Sequence, residues 1–256
     1  MSGAAHGAEI EVVVETAAHR AAPEVKLLAL VAFVVSVALV PHGLVWPYAI
    51  DALLLAAVAV WARTPPGHLA RRLVVEVPFV LFVVLLPFVT HGERTHVLGI
   101  GLSEPGLWMA WGIVAKATLA VLAAGVLAWT TPMPELLAGA ERLRVPRTMT
   151  TIAAFAVRYL QVVLDELGRQ RTARVARGDD PRWLWQARGA ARSAGALAVR
   201  CLERGERVHV AMLARGFDGR MPAGAVPAPV ARTQAWLLAA LVVAGAVVTT
   251  LIAHTA

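Results

Sequence analysis

Five apolar stretches, at residues 25–40, 45–61, 73–89, 106–129 and 236–253, dominate the chain and constrain its fold more than any other feature. Each reads as a membrane-crossing helix, since a helix rises about 1.5 Å per residue against a hydrocarbon core about 30 Å thick. The composition agrees: 58% hydrophobic and 16% charged residues is too apolar for an ordinary soluble domain. An all-α polytopic membrane protein with about five transmembrane helices is predicted. The third stretch carries Pro78 and Pro87, which remove backbone hydrogen bonds and should bend it.

Arginine and lysine in short loops mark the cytoplasmic side. Residues 41–44 carry neither, whereas Arg63, Arg71 and Arg72 flank the next connection, which is therefore placed inside. The connection holding Glu93, Arg94 and Glu104 then falls outside, and residues 131–232 fall inside. Residues 1–22 contain Glu9, Glu11 and Glu15 with no basic run before an apolar one, so they read as a cytoplasmic tail rather than a cleaved signal. The predicted layout is a tail (1–22), four spans (23–130), a cytoplasmic helical module (131–232) and a final span (233–256), a multi-pass protein of the cell inner (cytoplasmic) membrane.

The module holds 17 of the 24 basic residues, all of them arginine. Helix starts are signalled at Pro132 and Pro146, because proline suits a first helical turn. Ile152, Phe155, Ala156, Tyr159, Leu160, Val163 and Leu167 recur at spacings of three and four, an amphipathic helix that continues to Gly178. A second helix is predicted from about Trp183 to Arg215, ending at Gly216. Both glycines suit C-terminal caps.

The two helices end alike, in Ala176-Arg177-Gly178 and Ala214-Arg215-Gly216. A guanidinium at a helix tip suits an acidic groove, because it binds carboxylates bidentately and tolerates partial desolvation. The plainer account is that arginine complements the helix dipole and glycine caps the end. The tripeptide also recurs at Ala187-Arg188-Gly189, so context must separate the two accounts.

That context is a family resemblance. Phe155-Ala156-Val157-Arg158-Tyr159-Leu160, Asp165-Glu166, Arg169, Arg171 and Ala176-Arg177-Gly178 resemble the first coupling-helix region of the transmembrane T components of energy-coupling-factor (ECF) transporters. The run from Arg200 to Gly219, with Glu203, Arg204, Glu206, Arg207 and Ala214-Arg215-Gly216, is similar to that family's second signature. Pro23-Glu24-Val25-Lys26-Leu27 is similar to its opening, and Ser103-Glu104-Pro105-Gly106 with Thr131-Pro132-Met133-Pro134-Glu135 is most like its cobalt-type, CbiQ-like branch. The chain departs from the pattern at Asp179-Asp180 and at Gly205. The resemblance implies two cytoplasmic ABC ATPase subunits as partners, with Arg177 and Arg215 each docking in one of them and Glu203, Arg204, Glu206 and Arg207 in support. It also implies a membrane substrate-binding S component, no catalytic residue, no cofactor and no metal site in this chain.

Several alternatives are weighed on residues. No Gly-Lys-Ser/Thr phosphate loop occurs, and the only lysines, Lys26 and Lys116, lie at or within apolar spans, so nucleotide hydrolysis is expected of another chain. The arginine-rich module needs no nucleic acid to explain it, since acidic protein grooves and anionic lipids of the bilayer both attract it. Asp51, Glu76 and Lys116 are ionisable groups within spans, to be read as a transport site or as helix-locking pairs in which Lys116 meets a carboxylate and Glu76 lies near Arg72 at the interface. His91, Glu93 and His96 form a local set of metal-ligand types. Asp165, Asp179 and Asp180 would serve a membrane-embedded metal-dependent transferase, and a free-standing permease is a third reading. Cys201 is the single cysteine, which excludes a disulfide framework within the chain.

Overall fold

The computed structural model describes residues 17–41, 43–90, 94–97, 100–179, 188–217 and 232–255. The chain divides into two compact units, one of Met1–Gly139 with Pro227–Ala256, the other of Ala140–Val226. The first unit contains the short helix α1 (Ala17–Arg20), α2 (Pro23–Leu39), α3 (Trp46–Trp61), α4 (Pro66–Val83), a single turn α5 (Leu86–Val89), strands β1 (Arg94–Val97) and β2 (Ile100–Ser103), and α6 (Glu104–Thr130). Helix α7 (Met133–Arg142) leads out of it, α8 (Arg147–Ala176) and α9 (Arg188–Ala214) build the second unit, and α10 (Arg232–Thr255) returns to the first.

All five predicted spans are helical, and the all-α polytopic architecture expected from the apolar stretches is the one observed. Their lengths differ. Among the described residues, Glu104–Thr130 alone is both long and apolar enough to cross a membrane by itself, and Trp46–Trp61 and Val243–Ala253 are shorter apolar helices. At about 1.5 Å per residue, α2, α3 and α4 are roughly 24–27 Å long, a mismatch that local thinning and flanking side chains absorb. Their outward faces are apolar: Val75 is 79% exposed, Val60 77% and Leu53 72%. Such contiguous apolar surface is what lipid solvates and water does not.

The predicted bend of the third stretch is a break. Helix α4 carries Pro78 inside it and stops at Val83, and the chain restarts at α5 with Pro87 in the first turn, where no backbone N–H is required. The antiparallel pairing of β1 with β2, in register Arg94↔Ser103 to Val97↔Ile100, was not anticipated. Thr95, Val97 and Ile100 are β-branched residues that suit strand backbone.

Helix α6 is the element on which the bundle is assembled, packing against α2, α3, α4 and α5, while α10 packs against α2 and α3. The core joins Phe33 and Val37 of α2, Tyr48, Leu55 and Ala59 of α3, Leu119, Ala123 and Val126 of α6, and Ala246 of α10. Small residues at these crossings let helices approach closely where apolar burial alone gives no net drive in lipid. At the start of α6, Ser103 Oγ accepts the Gly106 N–H at 3.4 Å, a side-chain cap of an otherwise open helix end. At its other end, Lys26 Nζ donates to Thr130 O (3.1 Å), Thr131 Oγ1 (3.0 Å) and His19 O (3.0 Å). A cation among terminal carbonyls complements the helix dipole, and here it ties α1 and α2 to the end of α6.

The intramembrane ionisable groups do not pair as expected. Lys116 Nζ donates to Ala38 O at 2.8 Å and, among the described residues, meets no carboxylate. Glu76 is buried within the bundle and accepts from Thr118 Oγ1 at 3.0 Å, joining α4 to α6. Asp51 is fully buried and accepts from Thr249 Oγ1 at 3.3 Å, joining α3 to α10. Each polar group thus found a hydroxyl or a free carbonyl on the facing helix. Asp51→Ala should lower stability by about 1–3 kcal/mol, since it deletes an interhelical link and leaves a void, whereas Asp51→Asn should cost under about 1 kcal/mol. Thermal unfolding of the detergent-solubilised variants checks this, and an alanine variant that melts with the wild type refutes it.

Candidate functional site

Both arginine tips are built by the same backbone device. At the end of α8, the Gly178 N–H donates to Val175 O (3.0 Å) and the Asp179 N–H to Arg174 O (3.0 Å). At the end of α9, the Gly216 N–H donates to Leu213 O and the Phe217 N–H to Met212 O, both at 3.0 Å. The glycines have φ of +82° and +80°, the left-handed conformation that a side chain disfavours by about 1–2 kcal/mol. These paired bonds define a Schellman cap. Arg177 and Arg215 each occupy the residue just before that turn, at the outermost point of the helix. The third copy of the tripeptide is different: Arg188 begins α9 and Gly189 lies inside it, so the structure separates the two tips from the repeat.

Arg177 and Arg215 are exposed, and among the described residues neither side chain forms a hydrogen bond or an ion pair. Arg174, one turn earlier, is instead turned inward and lies 3.8 Å from Asp179. The first acid of the Asp179-Asp180 pair is therefore engaged by Arg174; Asp180 lies outside the described residues. Glu203, Arg204, Glu206 and Arg207 are also exposed, on the last four turns of α9. Gly178→Ala and Gly216→Ala should each destabilise the module by about 1 kcal/mol, while Gly168→Ala, in mid-helix with open space around it, should stabilise it by about 0.5–1 kcal/mol. Denaturant unfolding read by hydrogen exchange of the α8 and α9 amides tests the opposite signs; equal effects at positions 168 and 178 would contradict the cap assignment.

Helices α8 and α9 run antiparallel. Glu166 of α8 meets Arg200 of α9 (2.8 Å), and seven residues earlier on α8, Tyr159 meets Arg204, four residues later on α9, with the guanidinium 5.9 Å from the ring centroid. Antiparallel pairing puts Arg177 and Arg215 at opposite ends of the module, on the order of 40 Å apart by helix rise. Glu166 is the busiest side chain between them. Its Oε2 accepts from Arg169 Nη2 (2.7 Å) and Nε (3.2 Å), and its Oε1 from Arg200 Nη1 (2.8 Å) and Gln170 Nε2 (3.3 Å). The Arg169 hydrogen bonds foremost hold this carboxyl below its usual value. The sequence named Glu166 without its partners, because a pairing across 34 residues has no local signature.

The other candidates are not brought together. Asp165 and Asp179 lie fourteen residues apart along α8 and its cap, about 21 Å by helix rise, too far to share one ion. His91 and Glu93 lie outside the described residues, and His96 is in β1. Cys201 is exposed on α9. Among the described residues, no group of three His, Cys, Asp or Glu side chains is placed to hold a metal.

Comparison with known proteins gives the setting for these tips. The chain is 33% identical over 145 residues to the cobalt transport protein CbiQ of Rhodobacter capsulatus, a match covering 54% of this chain and 59% of that protein. It thus spans less than two thirds of that relative's length. An uncharacterized protein of Methanocaldococcus jannaschii is 26% identical over 209 residues, 77% of this chain and 70% of the relative. The CbiQ family model, described as cobalt transport protein, matches residues 15–223, which include all of α1 to α9 with both arginine tips. On that match, the chain is a membrane protein belonging to the CbiQ cobalt transport family.

Proposed function

We propose that this protein is the transmembrane T component of an ECF-type ABC importer, a multi-pass protein of the inner membrane serving cobalt uptake. In this reading two cytoplasmic ABC ATPases bind the module of α8 and α9, one at Arg177 and the other at Arg215. Their nucleotide-driven motion passes through the module to the bundle and reorients a substrate-binding S component in the bilayer. The chain itself performs no covalent chemistry. The observation that carries the reading is the pair of identically capped, exposed arginines at opposite ends of one antiparallel helix pair. Two separated docking points suit two copies of a partner, and an unpaired guanidinium suits an acidic groove. Only interactions that differ between open and closed ATPase states can drive such a shift.

The test is co-purification from the native membrane. ATPase subunits should accompany the wild type and be lost when Arg177 and Arg215 are both replaced by alanine, and the accompanying S component would identify the substrate. Absence of any ATPase under mild crosslinking would overturn the assignment. Cobalt uptake into vesicles by this chain alone would favour the free-standing permease.

A further inference from the structure

The α8–α9 pair has little core to hold it at a fixed angle. Among the described residues of the two helices, Leu197 is the one buried large apolar side chain. A cleft of about 660 Å³ opens between them, bordered by Ile152, Phe155, Tyr159, Val208, Met212 and Phe217. Helices joined by a dense interdigitated seam resist rotation, because interiors are close-packed. Here the cleft leaves room for one helix to rock on the other. What joins them is directional: the Glu166–Arg200 ion pair at 2.8 Å and the Arg204 guanidinium over Tyr159, itself stacked on Phe155 with centroids 6.3 Å apart. The Glu166 carboxylate uses both oxygens, one held by Arg169 on its own helix and the other by Arg200 on the facing helix. Its rotamer is thereby fixed before it reaches across. Both arginine side chains are 65% exposed, so the link lies at the surface, but the shared carboxylate makes it a network of three charged groups rather than an isolated pair.

Its position along the helices is equally informative. Arg177 lies eleven residues beyond Glu166 on α8, and Arg215 fifteen residues beyond Arg200 on α9. The link therefore stands between the tips, with arms of about 16 Å and 22 Å. A displacement of one tip relative to the other loads this pair together with the Arg204–Tyr159 contact beside it. We propose that Glu166 and Arg200 form the pivot of the coupling module, positioning residues that fix the relation between the two arginine tips without touching an ATPase. This rests on the coupling reading for its role in transport, though not for its structural effect.

The test uses the full transporter complex with Cys201→Ser as background and Ala173→Cys and Ala211→Cys as spin-label sites near the two tips. Glu166→Arg should broaden the tip-to-tip distance distribution measured by pulsed electron paramagnetic resonance and lower ATP-driven cobalt uptake about tenfold, while the ATPases still co-purify. Adding Arg200→Glu to Glu166→Arg should narrow the distribution and restore part of the uptake, since Arg169 cannot support the reversed pair as it supports Glu166. A distribution and uptake unchanged by Glu166→Arg would overturn the proposal, as would failure of the charge-reversed pair to restore either. If the Arg177→Ala, Arg215→Ala protein retains its ATPases, the docking assignment fails, while the distance measurement still decides whether Glu166 and Arg200 set the geometry of the module.

Discussion

On the coupling proposal, replacing Arg177 and Arg215 together by alanine is expected to reduce ATP-driven cobalt uptake by about 100-fold or more, with the membrane bundle intact. Truncating one charged, hydrogen-bonded partner at a protein interface costs about 2–5 kcal/mol, and each 1.4 kcal/mol is tenfold. If both guanidiniums dock ATPases as proposed, removing them together takes away both contacts at once. Single variants should each lose most activity if, as proposed, both tips have to be engaged to move the module. Lysine at either position should be intermediate, since an ammonium keeps the charge but lacks the planar fork. The bundle should be indifferent: both arginines are exposed at helix ends of the other unit, and neither bonds to another described residue. Uptake assays in reconstituted vesicles, paired with thermal unfolding, separate the two outcomes. Wild-type uptake in the double variant would remove the basis of the coupling reading.

The second large effect is expected at Gly106, where α6 meets α5. A β-carbon built there would stand 2.8 Å from Pro87 Cα and 3.2 Å from Thr90 Cβ. The nearer obstacle is backbone held in a proline turn, so it cannot swing aside as a flexible side-chain end would. Gly106→Ala should cost about 1–3 kcal/mol by overpacking, and Gly106→Leu more, because its side chain must part α5 from α6 altogether. The same change at Gly67, with nothing within 4 Å, lies in the first turn of α4 and should shift stability by under about 1 kcal/mol. Thermal unfolding in detergent compares the two directly. Equal melting of the alanine variants at 106 and 67 would mean that α5 and α6 do not approach each other as closely as described.

Much of the architecture was legible because it is set by near neighbours. The apolar stretches became α2, α3, α4 and α5, α6 and α10, the prolines at 132 and 146 preceded α7 and α8, and the glycines at 178 and 216 took positive φ at helix ends. Chain length, backbone sterics and the proline ring act within a few residues, so the order of residues suffices to state them. The family signature was legible for the same reason, since it lies in two continuous blocks around the helix tips. Even the break in the third span was foreshadowed by the two prolines, though not its form as a helix followed by one separate turn.

Pairings between distant residues were decided only in three dimensions. Lys116 was expected to meet a carboxylate and instead caps Ala38 O, while Glu76 turned to Thr118 and Asp51 to Thr249, 198 residues away. A helix that is apolar nearly all round does not declare which face will meet a neighbour, so its few polar groups cannot be matched from their spacing. The Glu166–Arg200 pair was hidden for a related reason: the module is rich in arginine, and only the antiparallel seating of α8 on α9 selects one guanidinium for that carboxylate. The sequence by itself thus determined the helices and their ends, because those depend on local sterics and residue type. The tertiary structure alone determined the partners of the buried polar groups and the link between the tips, because those depend on which helix faces come together.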